Sequence, residues 1–162
     1  MAQVADRLDP LSDPLLPADA HLTVFVAGFP TLAATWDDDV SIDALDQQER
    51  SLQGLPAATL QVGGVGSFQG CAYLHVTPEP LLHLVRERLG SSARELRWAP
   101  YQPHLTVGIY RGGVRYAALR GRLEPLADLP PLALPVVAVE LVDFDAATPG
   151  ASLRTLRRVV LG

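Results

Sequence analysis

The chain contains no lysine, so all 13 of its basic residues are arginines. That absence excludes a lysine Schiff base, the lysyl-nucleotide intermediate of ATP-driven ligases and the lysine of a phosphate-binding loop. Cysteine is almost absent too. Cys71 stands alone, which excludes an intrachain disulfide and favours a reducing compartment. The opening "MAQVADRLDP" has no basic patch followed by an apolar run, so it does not read as a secretory signal, and the longest apolar runs fall short of a membrane span. These absences predict a cytoplasmic protein with no membrane partner.

Positive charge is scarce as well. A net charge of −5 excludes an extended surface for wrapping nucleic acid, which needs a basic face to neutralise many phosphates, but permits one phosphate in a pocket. What is present is a globular composition, 48% hydrophobic and 19% charged, in 162 residues. That length supports one domain with a full core, or two small lobes sharing one. It does not set an oligomeric state.

The pattern alternates strands and helices. Residues 1–20 hold prolines and aspartates that suit a short helix and an extended approach without a convincing strand. "AHLTVFVAG" reads as a strand, and "TLAATWDDDV" as a loop. "SIDALDQQERSLQGL" reads as a helix capped by Ser41, with Ile42, Leu45, Leu52 and Leu55 inward. "ATLQVGGVGSF" and "CAYLHVTP" form a strand pair whose glycines permit a bulge. A helix over "PEPLLHLVRERL", the connection "SSARELRWAPYQ", the strand "PHLTVGIYR" and a short helix over "VRYAALRGRL" follow. An extended strand over "PPLALPVVAVELVDFD" and a terminal strand over "LRTLRRVVL" close the chain. Short turns between strands imply antiparallel pairing, hence an α+β class.

The tetrapeptide His21-Leu22-Thr23-Val24 recurs as His104-Leu105-Thr106-Val107, each copy being followed by a helical segment and a strand pair. Strand alternation puts His21 and Thr23 on one face with Leu22 and Val24 on the other. The same count groups His104, Thr106 and Tyr110 against Leu105, Val107 and Ile109, and sends Arg111 to the far side. Two imidazoles are enough for acid–base cleavage of a phosphodiester without a metal. An unperturbed imidazole titrates at about 6.5, so one can take a proton while its partner gives one. The threonine hydroxyls can donate to non-bridging phosphate oxygens.

At these residues the sequence resembles the two-histidine (2H) phosphoesterase superfamily, whose bacterial LigT-like members are called 2′-5′ RNA ligases or RNA 2′,3′-cyclic phosphodiesterases. Its signature is two H-x-[ST]-x motifs about half a chain apart. Pro103, "LQVGGVGSF" and the closing pair "VAVELVDFDAATPGASLRTLRRVVL" extend the likeness, from about residue 14 to the end. The resemblance implies a single two-lobed, pseudo-symmetric domain over 1–162, with antiparallel sheets, flanking helices and one motif strand per lobe facing a central cleft. It implies His21 and His104 as catalytic, Thr23 and Thr106 as phosphate-binding, and no cofactor or metal. The implied substrate is a 2′,3′-cyclic phosphate at an RNA end or on a small nucleotide, opened to a 2′-phosphate, with 2′-5′ ligation as the reverse. A cyclic phosphate of an ADP-ribose derivative is a further candidate, and a non-catalytic nucleotide- or RNA-end-binding module is the rival. Family members usually carry a strand and helix before the first motif. Only 20 residues precede His21, so that part of the lobe is expected to be shortened.

Around the motifs, Tyr110 is a candidate to stack on a base and Arg111 to reach a phosphate. Tyr101 and Trp98 are candidates to line the cleft mouth. His75 and His83 read as structural or solvent-facing, Asp37 to Asp39 as a solvated loop entering a helix, and Gly63 to Gly66 as strand irregularity.

Overall fold

A computed structural model describes residues 11–14, 21–97, 100–148 and 151–162. In chain order the elements are β1 (Ser12–Pro14), β2 (Phe29–Thr31), β3 (Asp39–Ser41), α1 (Ile42–Ser51), β4 (Ala58–Ser67), β5 (Cys71–Val76), α2 (Pro80–Gly90), β6 (His104–Tyr110), α3 (Tyr116–Leu123), a 3-10 turn (Glu124–Leu126), β7 (Leu132–Val136), β8 (Ala138–Asp143) and β9 (Arg154–Val160). The main sheet has five strands in the order β1-β6-β5-β4-β7, every neighbouring pair antiparallel. β8 and β9 form a separate hairpin, and β2 and β3 a short parallel pair.

The helices form where the capping chemistry places them. Ser41 Oγ accepts the Ala44 N–H at 3.1 Å to start α1, whose Leu45 is buried together with Leu52 and Leu55 just beyond its end. Glu79 does the same for α2, accepting the Leu81 N–H at 2.8 Å ahead of Pro80 in the first turn. The aspartate loop is a capped turn: Asp39 accepts the Thr35 and Trp36 N–H groups, and these two bonds hold its carboxyl below the usual carboxylate range. Among the described residues no helix is long and apolar enough to cross a membrane.

Two apolar clusters hold the elements together. One gathers Leu60, Val62, Ala72, Leu74 and Val76 with Leu105 and Val107 of β6 and Leu119 of α3. The other joins Leu52 and Leu55, the inner face of α2 (Leu81, Val85, Leu89), and Val159 and Leu161 of the terminal strand region. Val24 packs against both.

Four expectations change on this frame. Residues 21–28 are not a strand; they carry no regular secondary structure, although the apolar alternation is present. Ser12–Pro14, by contrast, is a strand, lying on the edge beside β6 with Ser12 opposite Tyr110. The single extended strand expected over 130–145 breaks at Val137 into β7 and β8, which belong to different sheets. Pro135 is tolerated because β7 is an edge, where a missing N–H costs no ladder bond. The fourth change is a reversal of faces within β6, which decides what surrounds the second motif. The short helix expected before residue 11 lies outside the described residues.

Candidate active site

The second motif sits on β6 between β1 and β5. His104 lies opposite His75 and Thr106 opposite Tyr73, so these four side chains share one face of the sheet. The register then skips. Tyr73 pairs with Thr106 but Ala72 pairs with Gly108, which leaves Val107 as an unmatched residue, a β-bulge. One extra residue inverts the alternation beyond it. Ile109, opposite Cys71, therefore joins the His104 face, and Tyr110 turns the other way.

Tyr110 is thus a core residue and not a wall of the motif face. It is 9% exposed, belongs to the Leu105–Val107 cluster, and shares a 2.9 Å hydrogen bond between its hydroxyl and Ser67 Oγ. Burial raises its phenol above the ordinary range against the pull of Ser67. Arg111, expected on the far side, falls by the same inversion on the His104 side of the alternation. It is exposed just past the strand end, with its N–H bonded to the Leu11 carbonyl at 3.1 Å.

A second bulge, at Gly64, mirrors the first on the other flank of β5. Gly63 pairs with His75 and Val65 with Leu74, and Gly64 takes φ +70°, a conformation that favours glycine. Gly66 permits a close approach: a Cβ there would lie 2.5 Å from Tyr73 Cζ. The Tyr73 ring therefore lies down on the β4 backbone. Phe68 stacks on it at 4.2 Å between centroids, and Phe68 and Tyr73 meet the His104 ring edge-on at 4.9 and 5.4 Å.

His104 is aimed by the residues before it. Its Nδ1 lies 2.7 Å from the Gln102 carbonyl, and a carbonyl only accepts, so Nδ1 carries the proton. The neutral ring then presents Nε2 as the proton acceptor. The Gln102 side chain donates to the Tyr73 hydroxyl at 2.9 Å, tying the imidazole and its aromatic support through one residue. Burial pushes the Cys71 thiol up, opposed by the Thr106 hydroxyl and the Phe68 N–H.

The first motif is held differently. Val24 gives its carbonyl to Arg86 Nη1 at 2.5 Å, and Val26 gives its own to the Leu96 N–H at 2.8 Å, bonds that stand in for a strand partner. Arg86 is fixed in turn by Glu95 at 3.0 and 2.5 Å, and it stands 3.9 Å over the Tyr101 ring. Tyr101 is therefore half-buried under a guanidinium, with its hydroxyl buried and unbonded. Trp98 lies outside the described residues. His21 and Thr23 line a cavity of about 520 Å³ shared with β8 and β9, including Val139, Leu141 and Arg157.

Leu22 and Val24 pack on the same core as Leu105 and Val107. The structure thus brings the apolar positions of both motifs to one core. The two hairpins are exchanged between the motifs: the β4–β5 hairpin, which follows the first motif in sequence, supports the second. The β8–β9 hairpin, which follows the second, borders the first. His83 is exposed on α2, and among the described residues no group of three His, Cys, Asp or Glu side chains is arranged to hold a metal.

Sequence reasoning passed over Phe68, Tyr73 and Gln102, and read His75 as structural or solvent-facing without pairing it with His104. The signal that finds them is the hairpin itself: once "CAYLHV" is paired antiparallel to "HLTV", Tyr73 and His75 fall opposite Thr106 and His104. The Arg86–Glu95–Arg97 cluster carried no such signal. Burial alone would raise the Glu95 carboxyl, but the bonds and charges of Arg86 and Arg97 outweigh it and hold it below the ordinary range. A carboxyl lowered on folding adds stability above its unfolded value, about 4.3, that is lost as pH falls through the folded value. Acid unfolding followed by circular dichroism should therefore show stability declining below about pH 4.3, and Glu95→Gln should flatten that decline.

A family model described as the 2′-5′ RNA ligase superfamily matches residues 3–148. Similar solved structures include TT0787 of Thermus thermophilus, at 19% identity and TM-score 0.66, covering 99% of this chain and 87% of that one. E. coli LigT complexed with phosphate aligns at 17% identity and TM-score 0.61, covering 99% and 88%. E. coli LigT complexed with ATP aligns at 15% and 0.57, covering 99% and 89%. No curated protein matches the sequence.

Proposed function

The chain belongs to the 2′-5′ RNA ligase superfamily, and from that premise we propose that it is a phosphoesterase opening 2′,3′-cyclic phosphates on nucleotides or RNA ends, with His21 and His104 as its acid–base pair. The observation that carries this reading is the second motif. His104 keeps its proton on Nδ1 against the Gln102 carbonyl and offers Nε2, with the Thr106 hydroxyl on the same face. In the reaction one imidazole removes a proton from water as the oxygen attacks phosphorus. The bond from phosphorus to the 3′ oxygen breaks, and the other imidazole delivers a proton to that oxygen, leaving a 2′-monophosphate. Thr23 and Thr106 donate to the non-bridging oxygens as charge builds on them. With a 5′-hydroxyl in place of water as the attacking group, the same steps join a 2′-5′ bond: the P–O3′ bond breaks, the 3′ oxygen takes the proton, and the phosphate stays on the 2′ oxygen.

A nucleotide-sized ligand fits the net charge of −5 better than a long RNA does. The complexes of E. coli LigT with ATP and with 3′-AMP support the same size class. Purified protein should open adenosine 2′,3′-cyclic phosphate and an RNA ending in a cyclic phosphate in the presence of EDTA, with a 2′-phosphate as the product by chromatography. Binding without turnover would reduce the protein to a nucleotide-binding module. A rate equal to buffer on both substrates, with no binding, would end the proposal.

A further inference from the structure

The third histidine of this region, His75, has no part in the reaction described above. It is exposed on β5, directly opposite His104. Side chains in that relation start about 4.5–5.5 Å apart at Cβ. Tyr73 braces both rings edge-on, His75 at 5.0 Å and His104 at 5.4 Å between centroids. On the other flank Pro131 closes over Gly63, where a Cβ would meet Pro131 Cα at 2.9 Å. His75 is thus a positioned side chain on a solvent-facing surface.

The charge around it indicates what it would hold. By register, the positions on this face are Thr59, Gln61, Gly63 and Gly66 of β4, Cys71, Tyr73 and His75 of β5, His104, Thr106 and Ile109 of β6, Ala133 and Pro135 of β7, and Asp13 of β1. The carboxylate position, Asp13, lies opposite Ile109, at the other end of β6 from His104 and two strands from His75, and none of the positions on β4, β5 and β6 is acidic. Elsewhere several of the acidic side chains pair with arginines, as Glu95 does with Arg86 and Arg97, Asp46 and Glu49 with Arg157, and Glu140 with Arg158. Two adjacent imidazoles with no acid among them make a surface for an anion longer than one phosphate.

We infer that His75 is a second phosphate-binding position, taking a further phosphate of the substrate beside the one held at His104 and Thr106. This rests on the reading of His104 given above. The chemistry is that of any phosphate one link removed: the internucleotide phosphate of an RNA end, or a 5′-phosphate on a single nucleotide.

The test compares a nucleoside 2′,3′-cyclic phosphate with its 5′-phosphorylated form and with a dinucleotide ending in the cyclic phosphate. His75→Ala should lower the preference for the two-phosphate substrates, read as the ratio of KM values, by about tenfold. His75→Gln, which keeps a donor, should recover part of it. A loss confined to the dinucleotide assigns the internucleotide phosphate, and a loss on the 5′-phosphorylated nucleotide assigns the terminal one. An unchanged ratio overturns the inference. Binding gives an independent readout: pyrophosphate should shift the His75 imidazole signals by NMR and bind about tenfold more weakly to His75→Ala. Turnover without any His75 shift sinks this position alone. A His75 shift without turnover sinks the proposed reaction and leaves the phosphate position standing.

Discussion

His104→Ala is expected to lower the turnover of a 2′,3′-cyclic phosphate by about 10²- to 10⁴-fold, and His21→Ala by a similar factor, because each removes one of two proton transfers. The double variant should fall little further than the worse single one, since a base without its acid completes no cycle. Stability should hardly move. His21 is exposed and His104 only half-buried, and neither belongs to an apolar cluster. The pH profile supplies the sharper check: kcat/KM of the wild type should be bell-shaped, and each single variant should lose one limb. If either variant kept the wild-type rate, its histidine would have no place in the reaction.

The second large effect is expected at Tyr73, 5% exposed and beneath the site. Its ring rests on Gly66, carries Phe68 and touches both His75 and His104, so Tyr73→Ala removes the floor along with buried area. Losing a buried aromatic costs about 3–5 kcal/mol, to be read from chemical denaturation. Activity at temperatures where the variant is still folded should drop as well, because the His104 ring loses its lateral contact. Tyr73→Phe separates the two consequences. It keeps the stack and loses only the bond from Gln102, a cost of about 0.5–1.5 kcal/mol, with a reduced kcat from a looser His104. Equal stability of Tyr73→Ala and wild type would contradict the packing described here.

These effects also mark how far the sequence could be read. Helix ends, the β4–β5 hairpin and both H-x-T motifs were legible, because capping residues, β-branched runs and repeats are local signals. "HLTVFV" misled as a strand because a strand is a property of pairing: the pattern is there, but the carbonyls of Val24 and Val26 are taken by Arg86 and Leu96. Ser12–Pro14 failed in the opposite sense, being too short and proline-bound to show itself until β6 offered an edge. The setting of Tyr101 was not legible either, since nothing local announces the cation 3.9 Å above it, which comes from a helix earlier in the chain.

The unmatched Val107 has a wider meaning. A strand is read in twos, and one added residue works on it as a frameshift does on a message: everything upstream keeps its sense and everything downstream is reversed. The segment from His104 to Thr106 is read in one frame, toward the chemistry, and that from Gly108 to Tyr110 in the other. A seven-residue strand can thereby serve two masters, and changes that suit Tyr110 to its buried neighbours need not disturb the spacing of histidine and threonine. It also means that a ruler laid along the motif is trustworthy only as far as Thr106.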